Sequence, residues 1–443
     1  MKNVLVLGAG LVSRPLVHYL LRKEFTVTVA SRTVSKAEAL IAGFANGKAE
    51  ALNVKDDQRL EQLVADSDLA ISLLPYTYHL QVAGHCLKHR KHLITTSYVS
   101  PAMQALDREA REAGVLFLNE IGLDPGIDHM SAMKIIHQVE KAGGKVTSFR
   151  SYCGGLPAMQ HNNNPFGYKF SWSPRGVVMA GRNNGQYLEN GEVVFIPNRD
   201  LFKQYEIIDI EGVGAFEAYT NRDALPYREL YGLSDASTVF RGTLRNPGWC
   251  QTMDKARELG LFDDAPRQDL AGLTWRKMML RLTGQPDDGD IYAGIAAYLG
   301  LKPHDTVMKR FQWLGLFAAR DLPAENNVID MFCALLQEKL AMAESDLDLI
   351  VLHHRFEAAY AGRKERITST LVDTGRPGGD TAMSRTVSLP AAIAANLILR
   401  NEIDLTGVHI PIQAEIYEAV LTELEKTGLK FIEKTLPESR RKH

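Results

Sequence analysis

The sequence predicts an α/β protein whose N-terminal part is a doubly wound parallel sheet. Short apolar strands alternate with helical stretches from Asn3 to Leu118, and a glycine-rich turn directly follows the first strand. A parallel strand pair needs a return path of helix length, so this alternation favours parallel β-α-β units. In such a sheet, ligands bind beyond the carboxyl ends of the strands.

The individual elements follow from the spacing of apolar residues. The predicted strands of the first part are Asn3–Leu7, Thr26–Ala30, Leu69–Leu74, His92–Thr95 and Val115–Leu118, and the predicted helices are Val12–Arg22, Lys36–Phe44, Gln58–Ala65, Tyr78–His89 and Pro101–Ala113. Later strands are expected at Thr147–Cys153, Val193–Ile196, Phe202–Ile210, Ala215–Thr220 and Leu347–Arg355. Trp249 to Ala361 is expected to be mostly helical, with further helices at Thr381–Leu399 and Ile412–Lys426.

Composition and charge argue against several function classes. The 443 residues include 51 Lys plus Arg and 53 Asp plus Glu, so bulk charge does not favour nucleic-acid binding. No uninterrupted apolar run reaches the roughly 18 residues of a membrane span. The cysteines, at 86, 153, 250 and 333, form no C-x-x-C pair, so neither a metal site nor a disulfide framework is expected. We therefore expect a cytoplasmic protein with no nucleic-acid, membrane or metal partner.

The strongest local motif is Gly8-Ala9-Gly10-Leu11-Val12-Ser13, between the first strand and the first helix. Gly8 permits the tight turn, and Gly10 lets the backbone approach a pyrophosphate held at the positive end of the helix. Ser13 stands where a third glycine usually serves close helix–strand packing, which weakens the match. The motif predicts dinucleotide binding; the alternative is a tight strand–helix turn that binds nothing.

The end of the second strand indicates which dinucleotide is bound. NAD-specific proteins place Asp or Glu about 20 residues further on, where it accepts a hydrogen bond from the ribose 2′-hydroxyl. Here Ser31-Arg32-Thr33 stands at that place, so no carboxylate repels a 2′-phosphate and Arg32 can pair with it. We therefore predict NADP(H); the alternative is that Arg32 is only a solvated loop residue.

Three more strand ends carry residues suited to a ligand. Leu74-Pro75 can pack on the nicotinamide or its ribose, Thr96-Ser97-Tyr98 ends the next strand, and the segment from Gly122 to His129 leads into a helix. Asp124 supplies a carboxylate at this edge. Both Asp124 and His129 have an alternative as residues that only begin the helix.

These motifs together resemble the saccharopine reductase family, the NADP-dependent, L-glutamate-forming saccharopine dehydrogenases. The resemblance covers nearly the whole chain and rests on Gly8–Val12 with Pro15, Ser31–Thr33, Gly122–His129, Ser151–Pro157, Asn164-Pro165 with Tyr168–Ser173, and Phe240–Arg245. The long middle motifs are far more specific than the glycine loop. One departure is Met159-Gln160, where family members often carry Pro-Glu, and it puts any role of an acid at that loop in doubt.

The resemblance implies three domains and a homodimer. They are a Rossmann NADP-binding domain (1–125) onto which a C-terminal helix (400–443) packs, an α/β saccharopine-binding and dimerisation domain (126–250 and 365–400), and an inserted, mainly helical domain (251–364). The implied cofactor contacts are Gly8, Ala9, Gly10, Leu11, Val12, Ser31, Arg32, Thr33, Asn53, Val54, Leu74, Thr96, Ser97, Tyr98, Leu123, Asp124, Pro125, Gly126, Ile127, Asp128, His129, Met130 and Ser173. The implied substrate contacts are Ser97, Tyr98, Asp124, Arg222, Thr243, Leu244 and Arg245.

The family's reaction condenses α-aminoadipate semialdehyde with L-glutamate and reduces the imine to saccharopine, or runs in reverse, in lysine metabolism. NADPH supplies the hydride, and the protein supplies position and charge. Saccharopine carries three carboxylates, so its site needs several cations, preferably bidentate arginines. The segment from Arg222 to Arg245 contains four arginines, and Asp124 and Tyr98 are the candidates for acid–base groups near the reacting nitrogen.

Two alternatives stay open. Carboxynorspermidine dehydrogenase of polyamine biosynthesis shares the Cys153–Pro157 and Tyr168–Ser173 types of motif. Its product has one carboxylate and positive amines, so its site should need acids more than arginines. The alternative of another class is a non-catalytic NADP-binding module.

Overall fold

In the computed structural model, which describes residues 1–437, the chain divides into two compact units. Unit 1 comprises Met1–Val146 and the chain from Phe356 onward, and unit 2 comprises Thr147–Arg355. This division joins residues 365–400 to the first 146 residues, whereas the resemblance groups 365–400 with 126–250. The three-domain division stays a prediction, and residues 438–443 of its C-terminal part lie outside the described residues.

The secondary structure of the described chain alternates in its first third and becomes irregular later. The strands are β1 (Asn3–Leu7), β2 (Thr26–Ser31), β3 (Gly47–Ala51), β4 (Leu69–Ser72), β5 (His92–Thr95), β6 (Leu116–Leu118), β7 (Lys145–Pro157), β8 (Gly185–Glu189), β9 (Glu192–Ile196), β10 (Tyr205–Ile210), β11 (Gly214–Thr220), β12 (Thr238–Arg245), β13 (Asp348–Tyr360), β14 (Arg363–Thr374), β15 (Gly407–His409) and β16 (Phe431–Pro437). The helices are α1 (Ser13–Arg22), α2 (Val34–Ile41), α3 (Asp57–Ala65), α4 (His79–His89), α5 (Pro101–Gln104), α6 (Asp107–Ala113), α7 (Ile127–Lys141), α8 (Pro174–Ala180), α9 (Pro226–Leu230), α10 (Trp249–Glu258), α11 (Trp275–Thr283), α12 (Ile291–Tyr298), α13 (Thr306–Leu314), α14 (Val328–Lys339), α15 (Ala382–Leu399) and α16 (Ala414–Lys426).

Unit 1 is built on a parallel sheet with the strand order β15-β6-β5-β4-β1-β2-β3. Its pairings are parallel, with Val4 of β1 opposite both Val27 of β2 and Leu69 of β4. The chain extends the sheet from β1 through β2 to one edge and then resumes at β4 on the other side of β1. The order therefore reverses between β1 and β4, which is where ligands bind in such sheets. The predicted doubly wound parallel sheet is confirmed.

Two strands of this sheet escaped the sequence prediction. β3, Gly-Lys-Ala-Glu-Ala, is an edge strand without a fully buried side chain, so it shows no apolar pattern. β15 has three residues and pairs with β6 from the far end of the chain. Neither strand carries the local signal on which the prediction depends.

The long helix α15 belongs to the core of unit 1. It packs against α1, and its 18 residues have a mean hydropathy of 1.3, enough by length and composition to cross a membrane. Inside the protein, 94% of that stretch is buried. Because it includes Arg385 and several hydroxyl side chains, it is not an uninterrupted apolar run.

The C-terminal elements complete unit 1. Helix α16 packs against α7 and α15, with His137 Nδ1 2.7 Å from the Tyr417 hydroxyl. β16 pairs antiparallel with β14. The last predicted helix is thus present and lies within unit 1.

Unit 2 combines a mixed sheet with a helical cluster. β10, β11 and β12 are antiparallel neighbours, β12 pairs in parallel with β7, and β8 and β9 form a hairpin beside β12. Helices α10 to α14 surround a core that includes the buried side chains of Trp275, Phe311 and Phe332. The predicted helical stretch from Trp249 is confirmed, and β13 ends it at Asp348.

Candidate active site

The turn between β1 and α1 is a tight loop closed by its own polar groups. Gly8 has a φ of +116°, and a Cβ there would lie 3.2 Å from the Leu73 carbonyl oxygen, so the turn requires glycine. Ser13 is buried; its hydroxyl accepts from the Gly10 N–H at 3.0 Å and donates to the Gly8 carbonyl at 3.1 Å. Sequence reasoning treated Ser13 as a weakness of the motif, whereas the structure shows it holding the loop closed.

The same loop keeps donors and space for a ligand. Among residues 1–437, no protein acceptor faces the N–H groups of Leu11 and Val12. A Cβ added at Gly10 would meet no protein atom within 4 Å. Unpaired N–H groups at the start of a helix, beside an open glycine, fit the pyrophosphate of a dinucleotide.

The end of β2 presents the predicted 2′-phosphate contacts. Ser31 Oγ accepts from the Thr33 N–H at 3.3 Å. Arg32 is exposed, and its guanidinium has no ion pair or hydrogen bond with any other residue that the structure describes. Asn53, a further predicted contact, is exposed after β3, and Val54 beside it is buried. A guanidinium that no carboxylate neutralises suits a doubly charged phosphate.

Apolar side chains are exposed beyond β4, where the sequence predicts the nicotinamide. Leu74 is half-buried and Pro75 is exposed. Tyr76 begins a short 3-10 helix and is 76% exposed. Tyr76 lies two residues after the predicted contact Leu74 and is not itself among the predicted contacts.

Asp124 and Tyr98, the two candidate acid–base groups, are joined by a hydrogen bond. The Tyr98 hydroxyl donates to Asp124 Oδ1 at 3.0 Å, and both side chains are half-buried. Helix α7 has Gly126 as its N-cap residue, and Asp128 accepts the Gly126 N–H at 2.6 Å. Asp124 is therefore not the N-cap residue of that helix, and its role in the site stays a prediction.

Two buried residues that sequence reasoning missed hold the segment around Tyr98. One carboxylate oxygen of Glu120 accepts from the Val99 N–H at 2.9 Å, and the other lies 2.8 Å from His129 Nε2. His79 Nε2 lies 2.9 Å from the Ser97 hydroxyl, and burial lowers the pKa of His79 to about 4. Neither residue belongs to a motif, so no local signal points to them.

The loop before α7 is closed by backbone hydrogen bonds. The Gly122 N–H donates to the Pro125 carbonyl at 2.9 Å, and the Ile127 N–H donates to the Gly122 carbonyl at 2.8 Å. Gly126 has a φ of +146°, and a Cβ there would overlap the Gly122 backbone, so this position also requires glycine. Thr96 at the end of β5 and Leu123 flank the loop. Within this loop and the first turn of α7, the predicted contacts whose side chains face the protein interior are Leu123, Pro125, Ile127, Asp128, His129 and Met130.

In unit 2, Arg245 at the end of β12 is a buried cation without a counter-ion. The side chain is 4% exposed, and its guanidinium carbon lies 5.0 Å from the Tyr168 ring centroid and 5.4 Å from that of Trp249. One terminal nitrogen donates to the Leu244 carbonyl at 2.8 Å, while the buried Nε has no partner and no carboxylate pairs with the group among residues 1–437. An uncompensated buried charge costs several kcal/mol, so this group is suited to bind an anion.

The other predicted contacts of unit 2 differ in exposure. Arg222 and Ser173 are exposed, Thr243 is half-buried, and Leu244 is fully buried. Side chains alternate along β12, so Thr243 and Arg245 lie on one face and Leu244 lies on the other. Leu244 can therefore reach a ligand of Arg245 only through its backbone.

The remaining arginines of this segment have local partners. Arg228 donates to the Ser234 carbonyl at 2.7 Å, and the guanidinium of Arg241 lies 4.4 Å from the Tyr227 ring centroid. Within residues 1–437, no group of three or more His, Cys, Asp or Glu side chains could hold a metal ion.

Comparison with known proteins agrees with this geometry. Residues 4–118 match the family model described as the saccharopine dehydrogenase NADP binding domain, and residues 122–429 match the saccharopine dehydrogenase C-terminal domain. The saccharopine dehydrogenase (NADP+, L-glutamate-forming) of Schizosaccharomyces pombe is 40% identical over 99% of this chain and 100% of its own length. The enzyme of the same name from Saccharomyces cerevisiae is 39% identical over 98% of this chain and 99% of its own.

Two further comparisons extend this result. The mitochondrial α-aminoadipic semialdehyde synthase of Mus musculus is 36% identical over 97% of this chain, which matches 47% of that longer protein. Among solved structures, the apo, histidine-tagged saccharopine dehydrogenase (L-Glu forming) from Saccharomyces cerevisiae matches with a TM-score of 0.91 and 38% identity, over 98% of this chain and 100% of that one.

Proposed function

The chain belongs to the saccharopine dehydrogenase family, and we propose that it is an NADP-dependent, L-glutamate-forming saccharopine dehydrogenase. It interconverts saccharopine with L-glutamate and α-aminoadipate semialdehyde by hydride transfer at a secondary amine, with NADP(H) as its cofactor. Relatives about 40% identical over the full chain carry this function in their names. The reaction belongs to lysine metabolism.

Arg245 is the observation that carries the substrate assignment. Its buried Nε faces no acceptor among residues 1–437, and its planar guanidinium can bind a carboxylate through two parallel hydrogen bonds. The aromatic rings of Tyr168 and Trp249 exclude water from one side of it and so strengthen the electrostatic attraction. Saccharopine and glutamate both supply carboxylates of the kind that this site needs.

The cofactor contacts are supported by unit 1. Leu11 and Val12 offer N–H groups to the pyrophosphate, and Arg32 offers an unneutralised guanidinium to the 2′-phosphate. When bound, NADPH supplies the hydride. The chain's own contribution is to bind and orient it.

Proton transfer falls to Asp124 and Tyr98 in this proposal. As saccharopine is oxidised, its secondary amine loses a proton, and the Asp124 carboxylate can accept it. The Tyr98 hydroxyl donates to Asp124 Oδ1 and so fixes the direction of the carboxylate. The kcat of Asp124→Asn as a function of pH tests this role: an unchanged kcat and an unchanged profile would remove Asp124 from the chemistry.

A single assay tests the function. We expect NADP reduction on addition of saccharopine, and NADPH oxidation with L-glutamate plus α-aminoadipate semialdehyde. Diaminopropane plus aspartate semialdehyde, the substrate pair of carboxynorspermidine dehydrogenase, is the control and should give no turnover. Turnover with that pair alone, or tight NADPH binding with no turnover on either pair, would overturn the assignment.

A cytoplasmic homodimer is part of the same proposal. The family resemblance supports the dimer, and exposed apolar residues of unit 2, including Phe195 on β9 and Ile207 on β10, offer contact area. The four cysteines are far apart in the sequence and indicate no disulfide framework, which supports a location in a reducing compartment. Light scattering would test the dimer, since a monomeric mass at micromolar concentration contradicts it, and fluorescence microscopy of the tagged chain in its own cells would test the location.

A further inference from the structure

His79 lies at the ligand-binding edge of the parallel sheet, although no motif includes it. It is the first residue of α4 and is 5% exposed. Ser72 and Thr95, the last residues of β4 and β5, are paired neighbours in the sheet. The His79 ring contacts both: Nδ1 lies 2.9 Å from the Ser72 hydroxyl, and Nε2 lies 3.0 Å from the Thr95 hydroxyl. The imidazole thus bridges the ends of two strands.

The third partner of the imidazole is Ser97, whose hydroxyl lies 2.9 Å from Nε2. Ser72 and Thr95 are fully buried, whereas Ser97 is half-buried. Of the three hydroxyl groups that contact His79, only that of Ser97 can therefore also reach a ligand. The Ser97 N–H donates to the Thr95 hydroxyl at 3.2 Å, so the backbone of Ser97 is tied to the same network.

The imidazole is neutral at physiological pH, because burial lowers the pKa of His79 to about 4. A neutral ring donates with one nitrogen and accepts with the other. The Ser72 hydroxyl on Nδ1 and the Thr95 hydroxyl on Nε2 both influence which nitrogen carries the proton. In either tautomer, the protonation of Nε2 decides whether the Ser97 hydroxyl accepts a hydrogen bond from the imidazole or donates one to it. This in turn decides whether the hydroxyl has its proton or only its oxygen lone pairs available for a ligand.

We propose that His79 is a positioning residue that fixes the Ser97 hydroxyl toward the bound NADP(H) and substrate. The substrate half of this inference rests on the proposed function, whereas the cofactor half needs only NADPH binding. A histidine with a purely structural role would affect the stability of unit 1 without affecting Ser97. Because His79 acts through Ser97, changing both residues should do no more harm than changing Ser97 alone.

A double-mutant cycle with His79→Phe and Ser97→Ala tests this directly. One neutral hydrogen bond is worth about 1 kcal/mol, so we expect each single variant to weaken NADPH binding roughly fivefold. The double variant should match Ser97→Ala. Fivefold losses that multiply in the double variant, or unchanged binding in either single variant, would overturn the proposal. The same double-mutant cycle, measured as kcat/KM for saccharopine, tests the substrate half. If the wild-type protein binds NADPH but does not turn over saccharopine, the proposed function is refuted, while the cycle measured as NADPH affinity still tests the role of His79.

Two amide substitutions, His79→Gln and His79→Asn, keep the test decisive if His79→Phe does not fold. The amide of His79→Gln can reach the Nε2 position and bond Ser97, while that of His79→Asn reaches only the Nδ1 position beside Ser72. We expect Gln to restore NADPH binding to within about twofold of wild type and Asn to behave like Ser97→Ala, in line with the loss of one hydrogen bond. Equal binding by the two variants would contradict the proposal. His92→Gln is the control: that imidazole accepts from the Leu116 N–H at 3.0 Å at the opposite end of β5, so its loss should leave NADPH binding unchanged.

Discussion

Ser13 is the one polar side chain of the phosphate loop in unit 1, and its hydroxyl has two protein hydrogen-bond partners. Arg245, at the end of β12 in unit 2, instead has a buried Nε with no hydrogen-bond partner among residues 1–437. The loop is complete as a piece of folded protein and offers a ligand its backbone N–H groups and open space. The Arg245 site is costly as folded protein and becomes favourable only when an anion arrives.

This difference separates two ways of building a binding site. Backbone donors at a helix start cost little when solvated, so the loop can be both stable and functional. A buried guanidinium without a counter-ion lowers stability and gains specificity for a carboxylate. In the unit 1 loops that require glycine, a substitution should therefore lower both stability and activity. At Arg245, a substitution should lower activity but maintain or raise stability.

The largest expected effect is at Arg245. Arg245→Met fills a similar volume without a charge, so we expect kcat/KM for saccharopine to fall about a thousandfold, the equivalent of roughly 4 kcal/mol for one side of a buried charge pair. The melting temperature should stay the same or rise, because the unpaired buried charge is gone. Arg175→Met is the control: Arg175 is largely exposed and paired with Asp330 at 2.9 Å, so its loss should change kcat/KM little. A marked drop in melting temperature for Arg245→Met would contradict the comparison.

The next effect concerns the choice of cofactor. Arg32→Ala removes the guanidinium offered to the 2′-phosphate, a charge-assisted contact worth about 2 kcal/mol. The KM for NADP should rise about thirtyfold while the KM for NAD stays unchanged. Steady-state kinetics with both cofactors measures this. Equal use of NADP and NAD by the wild type would refute the prediction that the residues at the end of β2 select NADP.

A pair of glycine substitutions distinguishes ligand space from protein strain. A Cβ at Gly10 meets no protein atom within 4 Å, so Gly10→Ala should leave the melting temperature nearly unchanged and weaken NADPH binding about tenfold by crowding the ligand. A Cβ at Gly126 overlaps the Gly122 backbone, and the φ of +146° is unfavourable for alanine, so Gly126→Ala should destabilise unit 1 instead. Thermal unfolding and NADPH titration of both variants decide; the reverse pattern would show that Gly10 serves the fold.

The smallest effect compares buried histidines in the two units. Burial lowers the pKa of His79 in unit 1 and of His353 in unit 2 to about 4, below the ordinary value of 6.5. Each ring binds protons more weakly when folded, so its contribution to stability is present above pH 6.5 and is lost as the pH falls toward 4. At pH 5 the loss is on the order of 1–2 kcal/mol per histidine. His79→Gln and His353→Gln should each flatten the decline in melting temperature between pH 7 and pH 5, and an unchanged slope would count against the buried, neutral state.

The parallel sheet of unit 1 could be predicted because its information is local. β1, β2, β4 and β5 are short apolar runs, and the Gly8–Ser13 turn marks where the ligand edge lies. The polar edge strand β3 and the three-residue β15 could not be found, because pairing with a neighbour and not their own composition makes them strands. The long resemblance motifs pointed to Arg245, but nothing near it in sequence indicated that it is buried without a counter-ion.

By itself the sequence determined the fold class of the N-terminal part, the phosphate loop and the absence of a carboxylate at the end of β2, since each depends on residues adjacent in the chain. Only the tertiary structure decided that Ser13 closes the loop, that His79 joins Ser72, Thr95 and Ser97, and that Tyr168 and Trp249 flank Arg245. Hydrogen bonds and burial join residues that are distant in the chain, and those contacts set charge state and direction in a way that no local pattern encodes.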